Sequence, residues 1–180
     1  MITRREIEEK IASVGDYVKM DILSGYLKHP IDADTRKFVM VKLAGIYGDR
    51  GMHLEAGKLF KNAAELNTTF QGKINDFIKS GEFFIKSGDF DEADISFKKG
   101  LACANSEQKV QIKIAEKEFY KNHAKFLFDN DKRKNSMLAY EKLLNLDLNS
   151  QERREVQQEL LSLYEKLGKI REYYILKKSV

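Results

Sequence analysis

Apolar residues recur at three- and four-residue steps along most of this chain, the period of a buried helix face rather than the alternation of a strand. The runs are broken by short polar punctuation, most often a single glycine. This pattern predicts helices near residues 3–14, 16–28, 34–49, 53–66, 70–87, 90–103, 107–129, 133–146, 151–167 and 169–178. Asp34, Asp89 and Ser106 are the expected N-caps, because each carries a short side-chain acceptor just ahead of a helical run. A single proline, Pro30, strengthens the all-α reading. Sheet- and loop-rich chains use proline freely, whereas helix interiors exclude it.

The punctuation repeats. A helical run ends and another begins at Gly15, Gly51, Gly88 and Gly168, with Asp131 standing in the glycine's place between the last two. Successive markers lie 36, 37, 43 and 37 residues apart. Other positions keep step with them. Four residues before each marker stands Ile11, Tyr47, Phe84, Leu127 or Tyr164. Seven before stands Ala44, Gly81 or Ala124. Five after comes Ala56, Ala93 or Ser136, and nine after comes Phe60, Phe97 or Tyr140. Large residues on one helix facing small ones on its neighbour allow two helices to approach closely.

On these offsets the chain resembles the tetratricopeptide repeat, a helix–turn–helix unit of about 34 residues. Residues 46–66 (IYGDRGMHLEAGKLFKNAAEL) and 83–102 (FFIKSGDFDEADISFKKGLA) carry the resemblance best. The first, fourth and fifth units are degenerate, and the family's leading tryptophan and closing proline are absent. The resemblance implies a right-handed α-solenoid of about five hairpins. They form one domain over residues 1–180, with hairpins near 1–30, 34–67, 70–104, 107–147 and 150–180. Within this frame the doubled FIKSG of residues 77–81 and 84–88 separates into two roles. Gly81 lies inside a first helix, where close packing offsets its poor helix propensity. Gly88 ends that helix in a left-handed conformation. A phosphate loop is excluded, since that loop needs glycine immediately before Lys-Ser/Thr and Ile85 precedes Lys86-Ser87.

Composition adds bounds. Net charge is +4, a mild excess that allows an acidic partner without demanding nucleic acid. The one cysteine, Cys103, cannot form an internal disulfide, which fits a reducing cytoplasm. The opening MITRREIEEK has no apolar signal core, and the longest apolar run, FVMV at 38–41, is too short for a membrane span. A cytoplasmic protein with no membrane partner is expected.

The candidate chemical motifs reduce to structural ones. DFDEAD (89–94) lacks the fifth-position ligand and the glycine of a calcium loop and reads as an acidic helix start. DADT (32–35) follows LKHPI rather than an apolar strand and reads as a capped helix start. His29, His53 and His123 have no second His or Cys at ligand spacing, and Cys103 has no base near it in sequence. No cofactor, metal or catalytic residue is expected. The positive signal is a row of lysines at 109, 113, 117, 121 and 125, followed by Lys132, Arg133 and Lys134. It is either an anion-binding face or a solvated outer face partly balanced by Glu116 and Glu118.

The leading functional expectation is a non-enzymatic adaptor or scaffold that holds a partner peptide or helix in a concave groove. In the family resembled, the first helix of each hairpin lines that groove. Residue by residue, the resemblance places there Phe38, Val41 and Gly45, then Asn75, Ile78, Glu82 and Ile85, then Glu118, Lys121, Lys125 and Phe128, and last Glu155, Gln158 and Ser162. The lysine, asparagine and arginine clamp by which some members hold a C-terminal carboxylate is not reproduced. Inward-pointing Lys121 and Lys125 would matter most for an acidic segment. Nucleic acid or another polyanion on the lysine row 109–125 is the alternative. The last helix, REYYILKKSV, offers apolar surface for capping or self-association.

Overall fold

The computed structural model describes residues 2–178. Among them the chain forms ten helices and no strand: α1 (Arg4–Ile11), α2 (Asp16–Leu27), α3 (Ala33–Asp49), α4 (His53–Leu66), α5 (Phe70–Ser87), α6 (Phe90–Ala102), α7 (Ser106–Asp129), α8 (Arg133–Leu144), α9 (Ser150–Lys166) and α10 (Ile170–Lys177). The fold is all-α, and the expected helices are all present. Residues 179 and 180, which end the last expected hairpin, lie outside the described residues.

The turns between paired helices explain the repeating marker. Gly51, Gly88 and Gly168 have φ of 74°, 82° and 67°, and Asp131 has φ 58°. In each case the residue after the marker donates its N–H to the carbonyl five residues back, four before the marker. The bonds are Met52 to Tyr47 (2.8 Å), Asp89 to Phe84 (3.0 Å), Lys132 to Leu127 (2.8 Å) and Lys169 to Tyr164 (2.8 Å). The marker's own N–H reaches back three residues, to Gly48, Ile85, Phe128 and Glu165. This pair of bonds is a Schellman closure, which satisfies the last carbonyls of a helix and requires a left-handed residue. Asp131 supplies that conformation without being glycine. Gly15 departs from the set: its φ is −71°, and it serves as the N-cap of α2.

Side-chain caps start α1, α3, α5, α6, α7 and α9, with two corrections to the expected residues. Asp89 caps α6 as expected, accepting from Glu92 N–H. Asp34, however, lies in the first turn of α3, and Asp32 is the cap, accepting from Thr35 N–H at 2.9 Å. Ser106 is likewise inside its helix. Asn105 accepts from Gln108 N–H at 2.9 Å, and the Gln108 side chain accepts from Asn105 N–H at 3.0 Å. The acceptor must stand three residues ahead of the N–H it receives, and in both cases the earlier residue does.

Contacts divide the chain into two compact units, Met1–Ile112 and Lys113–Val180. In the first, Ile7, Ile11, Leu23, Val39 and Leu43 form one buried cluster. Ile74, Phe77, Phe84, Phe97 and Ile112 are buried farther along. Small residues meet rings as the offsets predict. A Cβ built on Gly81 would stand 2.6 Å from the Phe97 ring, and one on Gly57, beside the offset position Ala56, 3.0 Å from the Phe84 ring. The one buried polar step nearby is satisfied: Ser80 Oγ donates to the Gly57 carbonyl at 2.9 Å and lies 3.0 Å from Ser96 Oγ. In the second unit Tyr120, Ala124, Leu127, Met137, Leu143, Leu160 and Leu163 are buried. Ser136 Oγ joins α8 to α7 by donating to the Ala124 carbonyl at 2.8 Å.

A second regularity was not visible in the apolar pattern. Polar partners repeatedly stand about one repeat apart. Within the first unit these are Glu8 with Lys42 (3.3 Å), Asp16 with Arg50 (2.9 Å), Glu65 with Lys99, and Gln71 with Gln108 (2.7 Å). Exposed pairs of this kind stabilise little individually. Their consistent spacing marks corresponding faces of successive hairpins.

Candidate functional site

The lysine row of α7 is not a bare cationic face. Lys113 lies 3.8 Å from Asp147, in the connection between α8 and α9. Lys117 donates to both carboxylate oxygens of Glu152, at 2.8 and 2.9 Å, and Lys121 to Glu155 at 3.3 Å. Glu152 also closes the capping box of α9 with Asn149. Hydrogen bonds from Lys117 and from the Asn149 backbone hold its carboxyl below the usual range. Hydrogen bonds from Gln151 and Lys121 do the same for Glu155. The row stays exposed at Lys113 and Lys121, but its charge is partly paired. Three of its five lysines bind acids that follow about one repeat later. Lys109 and Lys125 have no ion pair among the described residues.

Helices α7, α8 and α9 line a cleft of about 520 Å³ within the second unit. From α7 it is lined by Lys121, Lys125, Phe128 and Asp129, from α8 by Tyr140, and from α9 by Glu155, Val156, Gln158 and Glu159. Five of the expected groove residues therefore converge: Lys121, Lys125, Phe128, Glu155 and Gln158. They converge because positions four and seven residues apart share one helix face, and the faces of α7 and α9 meet. Ser162 is half-buried and Glu118 exposed. Neither lines this cleft, although Glu118 borders a smaller recess with Lys117, Leu148 and Glu152.

Tyr140 and the acids beside it were missed. Tyr140 occupies the offset filled by Phe60 and Phe97 in earlier units, and only here does the ring carry a hydroxyl. The side chain is 6% exposed. Burial, with the charges of Glu159 and Asp129, pushes its phenol up to about 12. The difference from phenylalanine was the available signal. Lys166 stands over the Phe128 ring, 4.6 Å from its centroid.

The expected groove residues of the first unit do not gather in this way. Ile85 is fully buried and offers nothing to a partner. It follows Gly81 by four residues, and so joins the inward stripe of Ile74, Phe77, Gly81 and Phe84. Phe38 is half-buried, with Arg4 and Lys42 over its ring at 5.9 and 5.4 Å. Val41, Gly45 and Ile78 are half-buried, and Asn75 is exposed, accepting from Gln71 at 2.9 Å. Glu82 accepts from Lys79 at 3.0 Å and from Lys86 at 2.6 Å. A recess of about 310 Å³ in this unit is lined by Glu8, Ile11, Ala12, Lys19, Lys42 and Ile46, none of them expected.

Among the described residues no group of three or more His, Cys, Asp or Glu could hold a metal ion. No helix among them is long and apolar enough to cross a membrane. On α10, Ile170, Tyr174 and Ile175 are exposed.

No family model matches the chain, and no curated protein matches it. Among solved structures it is similar to one described as the crystal structure of MamA. Identity is 15%, the match covers 99% of this chain and 92% of that one, and the TM-score is 0.42.

Proposed function

We propose that this chain is a non-enzymatic, tetratricopeptide-like interaction module and that the cleft between α7, α8 and α9 receives a segment of a protein partner. The observation that carries the reading is the convergence of Lys121, Lys125, Phe128, Glu155 and Gln158 on one cleft. These positions come from the first helices of two successive hairpins, as a groove built from repeats requires. The cleft combines an apolar floor of Phe128, Val156 and the Tyr140 ring with a charged rim, a lining suited to holding and orienting a side chain. The polyanion alternative loses support, because Lys113, Lys117 and Lys121 each stand beside an acid.

The test is capture from native extract followed by mass spectrometry, comparing the wild-type chain with Gln158→Trp. Gln158 is exposed on the cleft wall, so a bulky ring there fills the cleft without entering the core. A partner present with wild type and absent with the variant supports the reading. Equal recovery by both contradicts it.

A further inference from the structure

We propose that the occupant of this cleft is basic, and that it inserts an arginine whose guanidinium is held by Asp129, Glu159 and the Tyr140 hydroxyl. The inference rests on the groove reading above. It replaces the acidic segment that the lysine row first suggested.

The acids alone would not make a site. The independent observation is Tyr140. It lines the cleft and is more than nine-tenths buried, yet its hydroxyl has no hydrogen-bond partner among the described residues. The one fully buried side-chain polar atom without a partner there is His53 Nδ1, so the Tyr140 oxygen is not sealed in the core. A hydroxyl that the protein leaves unpartnered in a mostly buried residue bonds to solvent or to a ligand. Here it opens on a cavity and can accept a donor from a ligand.

The charges around it choose the donor. Lys121 and Glu155 neutralise each other at 3.3 Å. That leaves Asp129 and Glu159, neither in an ion pair among the described residues, against Lys125 on the cleft wall and Lys166 over the Phe128 floor. Both carboxylates act on the Tyr140 phenol in the sense that disfavours a second negative charge. A carboxylate or phosphate entering here would meet two unpaired acids. A guanidinium brings five donors and no acceptor, which matches three acceptors converging on one space. Its flat face also suits the Tyr140 ring, while Lys166 already stands over Phe128 at 4.6 Å. An ammonium carries a compact charge and three donors, so lysine should bind less well than arginine.

The experiment uses the full chain with ring-labelled tyrosine, followed by NMR, with the Tyr140 signal identified by its loss in Tyr140→Phe. The probes are the blocked amino acids N-acetyl-arginine methylamide, N-acetyl-lysine methylamide and N-acetyl-glutamate methylamide. The arginine probe should shift the Tyr140 signal saturably, the lysine probe more weakly, and the glutamate probe not at all. Asp129→Asn with Glu159→Gln, two exposed positions whose replacement leaves the core intact, should weaken arginine binding by about tenfold or more, as loss of charge-assisted hydrogen bonds implies. A shift caused by the glutamate probe alone, no shift with the arginine probe, or equal arginine binding by the double variant would overturn the proposal. If arginine fails while partner capture remains sensitive to Gln158→Trp, the cleft is still a docking site and only its basic occupant is wrong. If capture is also insensitive, both readings fall.

Discussion

A Cβ built on Gly81 would stand 2.6 Å from the ring of Phe97, a side chain 1% exposed. The close approach lies between α5 and α6, and the buried ring must shift within the core to admit a methyl group. Gly81→Ala should therefore destabilise the protein despite alanine's better helix propensity, and Gly81→Leu should cost more, about 1–3 kcal/mol from overpacking. Gly45, inside α3, has nothing within 4 Å of the same atom. There Gly45→Ala should stabilise by up to about 1 kcal/mol. Denaturant melts of the two alanine variants check the contrast. A stabilised Gly81→Ala would place residue 81 away from the helix contact.

Asp131 and Gly88 occupy equivalent left-handed turns, with φ of 58° and 82°. Gly88→Ala should cost about 1–2 kcal/mol, because a Cβ in that conformation meets the backbone. Asp131→Gly should move the other way, with a gain under about 1 kcal/mol, since aspartate already tolerates the turn and pairs with Arg133 at 2.8 Å. Thermal melts that ranked the two changes alike would contradict the equivalence of the turns.

The architecture was legible because its signals are local. Each Schellman turn needs one left-handed residue and one apolar residue four before it, and both recur at a readable spacing. The site was legible only in part. Helix periodicity places Lys121, Lys125 and Phe128 on one face, but it carries no information about which acids approach them. Lys117 with Glu152 and Lys121 with Glu155 are separated by 35 and 34 residues. Only the stacking of hairpins brings them together, and that turns an apparently cationic row into paired charge. Ile85 shows the complementary failure. A position transferred from a family pattern ignored the inward stripe that Gly81 and Phe84 define in this chain.

Glu82 predicts a pH dependence. Burial alone would raise its carboxyl, but the hydrogen bonds and charges of Lys86 and Lys79 outweigh burial and hold it below the usual carboxylate range. A carboxylate with a depressed folded-state value contributes stability above its unfolded value and loses it as pH falls through the folded one. Wild type should therefore lose stability more steeply than Glu82→Gln as pH falls below about 4.5, while the difference between them stays constant above about pH 6. Parallel acid limbs in the two melting curves would contradict the ion-pair assignment.

Tyr140 should ionise late in a spectrophotometric tyrosine titration, at about 12, alongside Tyr164, which burial and Glu141 also push up. Asp129→Asn with Glu159→Gln should bring it down toward the ordinary phenol value without restoring it fully, because burial is the larger cause. An unchanged titration in the double variant would remove both acids from the neighbourhood of the phenol.

The central claim is that the cleft between α7, α8 and α9 is where a protein partner docks. Its most direct test is a photo-crosslinking amino acid placed at Gln158, on the cleft wall, and in a separate chain at Lys98, exposed on α6. Illumination in native extract should give a discrete protein adduct from position 158 that is absent from position 98. It should fade when Asp129 and Glu159 are neutralised. Equal adducts from both positions, or none from 158, would contradict the account.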